Sequence, residues 1–516
     1  MTVLMWLLAV AAAFAVASVL ALYSYGRFAR QARGAQSQSL PVAPEATALD
    51  RLIAPLEAAH PGESGLACVF DNRDAFAQRL QSVRLAGRSL DLLYYIWRDD
   101  MTGRLLAREL LAAADRGVRV RLLLDDVNAQ GLDPSFRALN GHDGIEVRLF
   151  NPVRNRRTAL RRGLDMLLGL VRLNRRMHAK LWLADGRLGI TGGRNIGNEY
   201  FDASRAGQRN NRDADLLFVG PLVAEAAALF DRYWNSPQAL PIAAFWRDYE
   251  SGLERFRRRV EASVARRETR DWLARISATS DDAATARAAC APESLSWTGS
   301  ARLIADPPEK AAGRGHVDWM AAELISVMAS ARNSLLLVTP YFVPGQEGVA
   351  QLVAAAARGV KVSVVTNALA TTNHVIVHGA YRRYRRPLLA AGVRLYEYAP
   401  PMEGPRPGPM LHSKGFVADD QVAFIGSFNF DLRSAFLNIE AGVVFDAPDL
   451  VAQTAQEFRR LAAPENAHAL DIDGKRLHWT RGCGELSTRV FHEPKAPALR
   501  RGASWVIGHL PIHSHL

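Results

Sequence analysis

Two stretches of the chain carry the same reactive side chains at the same spacing. In MHAKLWLAD, from Met177, and again in LHSKGFVAD, from Leu411, a histidine is followed two positions on by a lysine and five positions later by an aspartate. Residues i and i+2 of a strand share a face. His178, Lys180 and Trp182 therefore point one way while Ala179, Leu181 and Leu183 point the other; His412, Lys414 and Phe416 repeat the pattern. Each stretch presents an imidazole beside an ammonium. A neutral imidazole is a nucleophile, a protonated one is a general acid, and ammonium groups stabilise anionic oxygens. Those residue types suit a phosphodiester.

The aspartates read differently from the histidines. Asp185 precedes Gly186, and ADG is a good hairpin turn between KLWL and RLGIT; Asp419 lies in the matching turn. Both are read as structural first and as catalytic only indirectly. Beyond each turn the chain returns as a strand into TGGRN and IGSFN, ending in Asn195 and Asn429. Small residues there allow close approach to a ligand, and an amide donor suits a phosphate oxygen. One such strand is an ordinary accident of packing, whereas two complete copies are hard to obtain by chance.

The elements around the motifs repeat as well. SLDLLYYIW, GRLLARELLAAADRG and VRVRLLLDD give strand, helix and strand in the first half; SLLLVTPYF, GVAQLVAAAARG and VKVSVVTN give them in the second. Next come IEVRLFNP and VRLYEYAP, then a basic insertion, then the motif. Such alternation indicates an α/β class with two similar domains. The predicted division is an anchor over 1–26, a polar proline-containing tether over 27–61, a first domain over 62–243, a basic helical connector over 244–298, a second domain over 299–464 and a C-terminal tail over 465–516.

The 64 Lys and Arg against 52 Asp and Glu give a net charge of +12, which implies an anionic partner without choosing between nucleic acid, membrane and phosphate-bearing substrate. Cys68, Cys290 and Cys483 are too few and scattered for a disulfide framework, so a reducing compartment is expected. From Thr2 to Gly26 the chain has no formal charge, long enough to cross a bilayer. A cleaved signal peptide would want a basic region ahead of the apolar run; here Arg27, Arg30 and Arg33 follow it, and the positive-inside rule places the body in the cytoplasm.

With both motifs in view, RMHAKLWLADGRLGITGGRNIGNEYF and LHSKGFVADDQVAFIGSFNFDLRSAFLNIE resemble the phospholipase D superfamily, whose signature is a duplicated HKD motif, and within it the bacterial cardiolipin synthases, the C type in particular. TNALATTNHVIVHGAYRRYRRPLL adds to the likeness, which covers about Gly62 to Pro464. The resemblance implies two phospholipase D-like α/β domains facing each other across a pseudo-twofold cleft behind a single inner-membrane anchor. It implies His178 as nucleophile and His412 as general acid, then base, with the reverse assignment of the two histidines left open by the sequence. Lys180, Lys414, Asn195 and Asn429 would hold the nonbridging oxygens. Glu440 would orient His178 and Asp213 would orient His412, each across the cleft. Glu199 matches a position common in cardiolipin synthases.

The implied reaction is phosphatidyl transfer from phosphatidylethanolamine or phosphatidylglycerol to phosphatidylglycerol. Water as acceptor would make the chain a hydrolase giving phosphatidic acid, and a nuclease shares the same chemistry. The basic amphipathic run RNRRTALRRGLDMLLGLVRLNRR suits an anionic lipid surface, and YRRYRRP adds a second basic patch. With the anchor present, phospholipids are the expected substrates and no nucleic acid is expected; the need for an accessory protein is open. No cofactor is called for and no cluster has metal-ligand spacing. Turnover is therefore expected to persist in EDTA, which an assay with and without chelator checks; loss that added metal restores would contradict it.

Overall fold

A computed structural model describes residues 2–129, 131–156, 158–246, 252–278, 295–313, 319–401, 407–474, 476–482 and 487–509. Among them, two large mixed sheets carry the chain. The first runs β10 (Ser296–Thr298), β1 (Ser64–Val69), β8 (Asp215–Val219), β6 (Leu188–Gly192), β5 (Leu181–Ala184), β2 (Ser89–Tyr94), β3 (Arg119–Asp125), β4 (Ile145–Phe150), β9 (Ala239–Pro241). The second runs β11 (Arg302–Ala305), β18 (Ala441–Phe445), β17 (Val422–Gly426), β16 (Gly415–Ala418), β12 (Ser334–Val338), β13 (Lys361–Asn367), β14 (Arg394–Tyr398), β19 (Ala467–Asp473), β20 (Arg476–Arg481), β21 (Thr488–Val490). In each, the apolar runs read from sequence pair in parallel, β2 with β3 and β3 with β4, β12 with β13 and β13 with β14, and the motif strand joins antiparallel on the other side of β2 and of β12.

Strand alternation sorts the core. Trp182 and Phe416 belong to cores under their own sheets, while Ala179, Leu181, Leu183, Leu411 and Val417 share one cluster built from both halves. The two halves are therefore joined by a buried apolar interface, and burial of its side chains stabilises their association.

Four parts of the predicted division read differently in the structure. The anchor helix does not stop at Gly26: it runs Thr2–Gln31, with Val3–Gln31 long and apolar enough to cross a membrane. Its last turns dock on the body, with Ser24 2.9 Å from Arg154, Tyr25 under the Arg172 guanidinium at 3.6 Å and Phe28 5.3 Å from Phe245. The supposed tether is also bound. Arg121 and Arg148 are buried on β3 and β4, and they draw Ser37 and Ala35 onto the sheet through their backbone carbonyls; Ala48–Ala59 then forms a helix whose Asp50 pairs with Arg187 at 2.8 Å. Buried guanidinium groups need acceptors, and this segment supplies them.

The tail, finally, is part of the second sheet. β19 covers the edge of β14, whose backbone groups would otherwise be unpaired, and the helix Ala498–His509 packs on Val375–Ala390. The connector belongs to the first half: Phe256 and Trp272 are buried in its core, and Arg257 pairs with Asp115 at 2.7 Å.

Candidate active site

Backbone crossing between the halves builds the site. Asn211–Arg212 pairs in parallel with Met410–Leu411, and the amides of His412 and Ser413 both donate to the Arg212 carbonyl. The mirror arrangement holds at the other motif, where Met177 bridges Ile439 and the amides of His178 and Ala179 both donate to the Ile439 carbonyl. The ladder strands consequently begin at Leu181 and Gly415 rather than at the histidines. The extended residues ahead of them give their hydrogen bonds to the opposite half, which puts each histidine beside the carboxylate that follows its partner carbonyl.

Those contacts are short. His178 Nδ1 lies 2.8 Å from Glu440 Oε2, and His412 Nδ1 lies 2.5 Å from Asp213 Oδ2. The ring nitrogen left toward the cleft is Nε2 in both. Glu440 also accepts from the Ser427 hydroxyl at 2.5 Å and the Ser434 hydroxyl at 2.8 Å, so its carboxylate is held on several sides. Lys180 and Lys414 reach back to the carbonyls of His178 and His412. The residue before each histidine is pinned too: Met177 N donates to Asp125 at 2.9 Å and Leu411 N to Asn367 at 3.0 Å. Those two polar residues close buried strands, and that is the signal by which the sequence marks them.

Burial dominates the electrostatics. It holds His178 down at about 4 although Glu440 pulls upward, and it holds His412 at about 3 with Lys414 adding to the depression. It likewise lowers Lys180 to about 7 and Lys414 to about 8. For Glu440 burial acts upward, but His178 and Lys180 outweigh it and the carboxyl sits below its ordinary value. Burial thus favours the neutral forms of both imidazoles and of the two lysines, and an entering anion favours their protonated forms.

His178, His412, Asn195 and Asn429 all line one cleft of about 1290 Å3. Asn195 is engaged internally, accepting from Ile96 N and donating to the Tyr200 hydroxyl at 3.1 Å. Asn429 keeps a buried oxygen with no protein partner. Two tyrosines that the sequence reading passed over stand against the histidines, Tyr95 at 4.8 Å from His178 and Tyr200 at 5.3 Å from His412. Glu199 is at the rim, 3.5 Å from Arg98. The connector reaches the cleft as well, through Arg266 and Thr269. Gly193 has a reason other than ligand approach: a Cβ there would meet the Asp213 carboxylate at 2.0 Å.

Asp185 and Asp419, the aspartates of the two motifs, stand apart from the cleft. Asp185 accepts from the backbone amides of Gly87, Arg88 and Ser89 at 2.7–2.9 Å, and Asp419 does the same for Arg332, Asn333 and Ser334. Both stand in left-handed backbone, φ 54° and 56°, at the end of the strand away from the histidine, and neither lines the cleft. They clamp the hairpin to the start of the neighbouring strand. Asp185→Asn, which tolerates the backbone but loses the charge, is expected to lower unfolding free energy by about 2 kcal/mol while turnover of folded protein persists; thermal denaturation alongside kcat checks this.

The comparisons with known proteins agree with the duplication. The family described as "Cardiolipin synthase, PLD-like domain" matches residues 80–234 and 324–462. The chain is 38% identical to cardiolipin synthase C of Escherichia coli, over 89% of this chain and 98% of that protein. It is 28% identical to a cardiolipin synthase of Geobacillus kaustophilus, over 82% of this chain and 71% of the other. Among solved structures, phosphatidylserine synthase of Haemophilus influenzae superposes with a TM-score of 0.56 at 11% identity, covering 88% of this chain and 96% of that one; at that identity the likeness is one of fold.

Proposed function

Because the chain belongs to the cardiolipin synthase family of phospholipase D-like proteins, an enzyme family of phospholipid phosphatidyltransferases, we propose that it makes cardiolipin. The donor is phosphatidylethanolamine or phosphatidylglycerol, and the acceptor is the free hydroxyl of phosphatidylglycerol. The observation that carries this reading is the crossed pairing: two imidazoles, each tied through Nδ1 to a buried carboxylate of the other half, open on one cleft.

In the proposed first step, His178 Nε2 attacks phosphorus, a P–N bond forms and the P–O bond to the departing alcohol breaks. His412 Nε2 gives that alkoxide its proton. The acceptor hydroxyl then loses its proton to His412, its oxygen attacks phosphorus, and the P–N bond breaks to release His178. Glu440 and Asp213 fix the tautomers and stabilise the imidazolium that each step creates. Lys180, Lys414, Asn195 and Asn429 hold the nonbridging oxygens. The depressed value of His178 suits attack, whereas burial works against the acid role of His412, which takes up its proton as the anionic phosphodiester enters and raises it.

The substrates reach the cleft from a membrane in this reading. The anchor helix continues without a break onto the body, and beside it the helix Ala159–Leu168 exposes Leu160, Leu164 and Leu167 among its arginines. An exposed apolar stripe with flanking cations suits an anionic bilayer surface. Arg27, Arg30 and Arg33, just after the apolar run, support a body on the cytoplasmic side of a bacterial inner membrane under the positive-inside rule.

Mass spectrometry of products from detergent-purified protein, given isotopically labelled phosphatidylglycerol with and without phosphatidylethanolamine, tests the proposal. Cardiolipin is the expected product, and the released alcohol, glycerol or ethanolamine, names the donor. Phosphatidic acid alone would make the chain a hydrolase and overturn the transfer reading.

A further inference from the structure

A second cavity, of about 700 Å3, opens where the helix Ala498–His509 crosses Val375–Ala390. Its walls carry five guanidinium groups, from Arg382, Arg385, Arg386, Arg476 and Arg501, and one carboxylate, Glu493. That carboxylate is already engaged, 2.7 Å from Arg385 and 3.9 Å from Arg382. Arg385 also lies 2.6 Å from Glu397 and 3.0 Å from His378 Nε2. A guanidinium thus occupies the middle of the His378, Glu397 and Glu493 group and excludes a metal from it. Among the described residues, Arg476 and Arg501 have no carboxylate partner, so positive charge in the cavity is left uncompensated.

The rim of the cavity is aromatic and apolar. Phe491 and Trp505 line it and are each more than half exposed, and Leu499 and Val506 continue the exposed surface along the same helix. Converging guanidinium groups bind phosphate oxygens bidentately, and Trp beside aliphatic side chains at a charged edge suits the headgroup level of a bilayer. A nucleic-acid backbone would satisfy the arginines but gain nothing from Leu499 and Val506. We propose that this cavity is an accessory site for the phosphate headgroup of an anionic phospholipid, separate from the catalytic cleft.

Its position ties it to the cleft. Arg500 lines the cleft and donates to the Thr372 carbonyl, while its neighbour Arg501 lines the second cavity. A lipid seated on Arg501 holds the helix that also contributes to the cleft wall.

Photolabelling tests the site. The full chain in neutral-detergent micelles is irradiated with a diazirine-bearing phosphatidylglycerol, and labelled peptides are mapped by mass spectrometry. Two regions should label, the cleft and residues 488–509. The Arg382→Ala/Arg501→Ala variant should lose the second by at least about tenfold and keep the first, which also reports that it is folded; if both are lost, Arg501→Glu alone takes its place. No label at 488–509, or label indifferent to these substitutions, overturns the proposal. Competition separates sources. Dihexanoylphosphatidylglycerol should displace the label at lower concentration than inorganic phosphate or a short single-stranded oligonucleotide. Equal displacement by phosphate, or stronger displacement by the oligonucleotide, overturns a lipid site.

Discussion

His178→Ala and His412→Ala are each expected to lower phosphatidyl transfer by at least about 10^4-fold, with the double variant no slower than the slower single one. The two imidazoles act in one sequence of bond changes, so removing either stops it and removing the second has nothing further to stop. The halves of the molecule are joined by a shared apolar cluster, and alanine at either position leaves that seam intact, so the variants should fold as the parent does. Steady-state rates on dispersed short-chain lipid, with near-ultraviolet circular dichroism as the control for folding, measure this. Additive losses, or a single variant retaining a tenth of the activity, would contradict a shared site.

Glu440→Gln is the second large effect, expected at about 10^2–10^4-fold in kcat with little change in KM. Gln keeps the shape but offers one acceptor where the carboxylate takes His178, Ser427 and Ser434 together, and it withdraws the charge that faces the imidazolium. Stability should fall too, by about 3 kcal/mol, because Lys180 loses a buried counter-charge. The sign follows from the lowered carboxyl of Glu440. Its contribution is full above the ordinary glutamate value of 4.5 and is lost as pH falls through the lower folded value. Denaturation of parent and variant should therefore differ most near neutral pH and converge in acid. Asp213→Asn should act the same way on His412, across the same seam in the other direction.

The sequence displays some of this more readily than the rest. Strand, helix and strand recur in one order in both halves because apolar runs closed by glycine leave a chain few alternatives, and the α/β class with its apolar N-terminal helix follows from that. Local turn chemistry was also legible in ADG, where Asp185 clamps a hairpin. What periodicity cannot express is a contact between distant segments. The pairing of Asn211–Arg212 with Met410–Leu411 decides which carboxylate meets which histidine, and no local pattern encodes it; the likeness of the motifs to a known family was the only guide to Glu440 and Asp213.

Composition misled where small polar residues were read as a tether. Ser37 and Ser39 bind through their backbone and hydroxyls to Arg121, to Asp231 in the helix Pro221–Trp234 and to Asn235 just after it, and a backbone amide has no signature in sequence. Tyr95 and Tyr200 were hidden for a related reason. Tyr95 follows a buried strand and Tyr200 closes a short polar turn, and neither marks a site until the second half supplies the cleft it faces.

The central claim is that phosphorus passes through His178. Rapid quench of the His412→Ala protein into denaturant at neutral pH, with a phosphatidyl donor whose leaving group is p-nitrophenol, tests it most directly, because such a leaving group needs no proton and the missing base slows the second step. Intact-protein and peptide mass spectrometry at neutral pH should then show one phosphatidyl group, removed by mild acid, on the peptide containing His178. Label on His412 in the reciprocal His178→Ala experiment, with none on His178, would reverse the assignment, and p-nitrophenol release with no covalent adduct on either histidine would contradict the account.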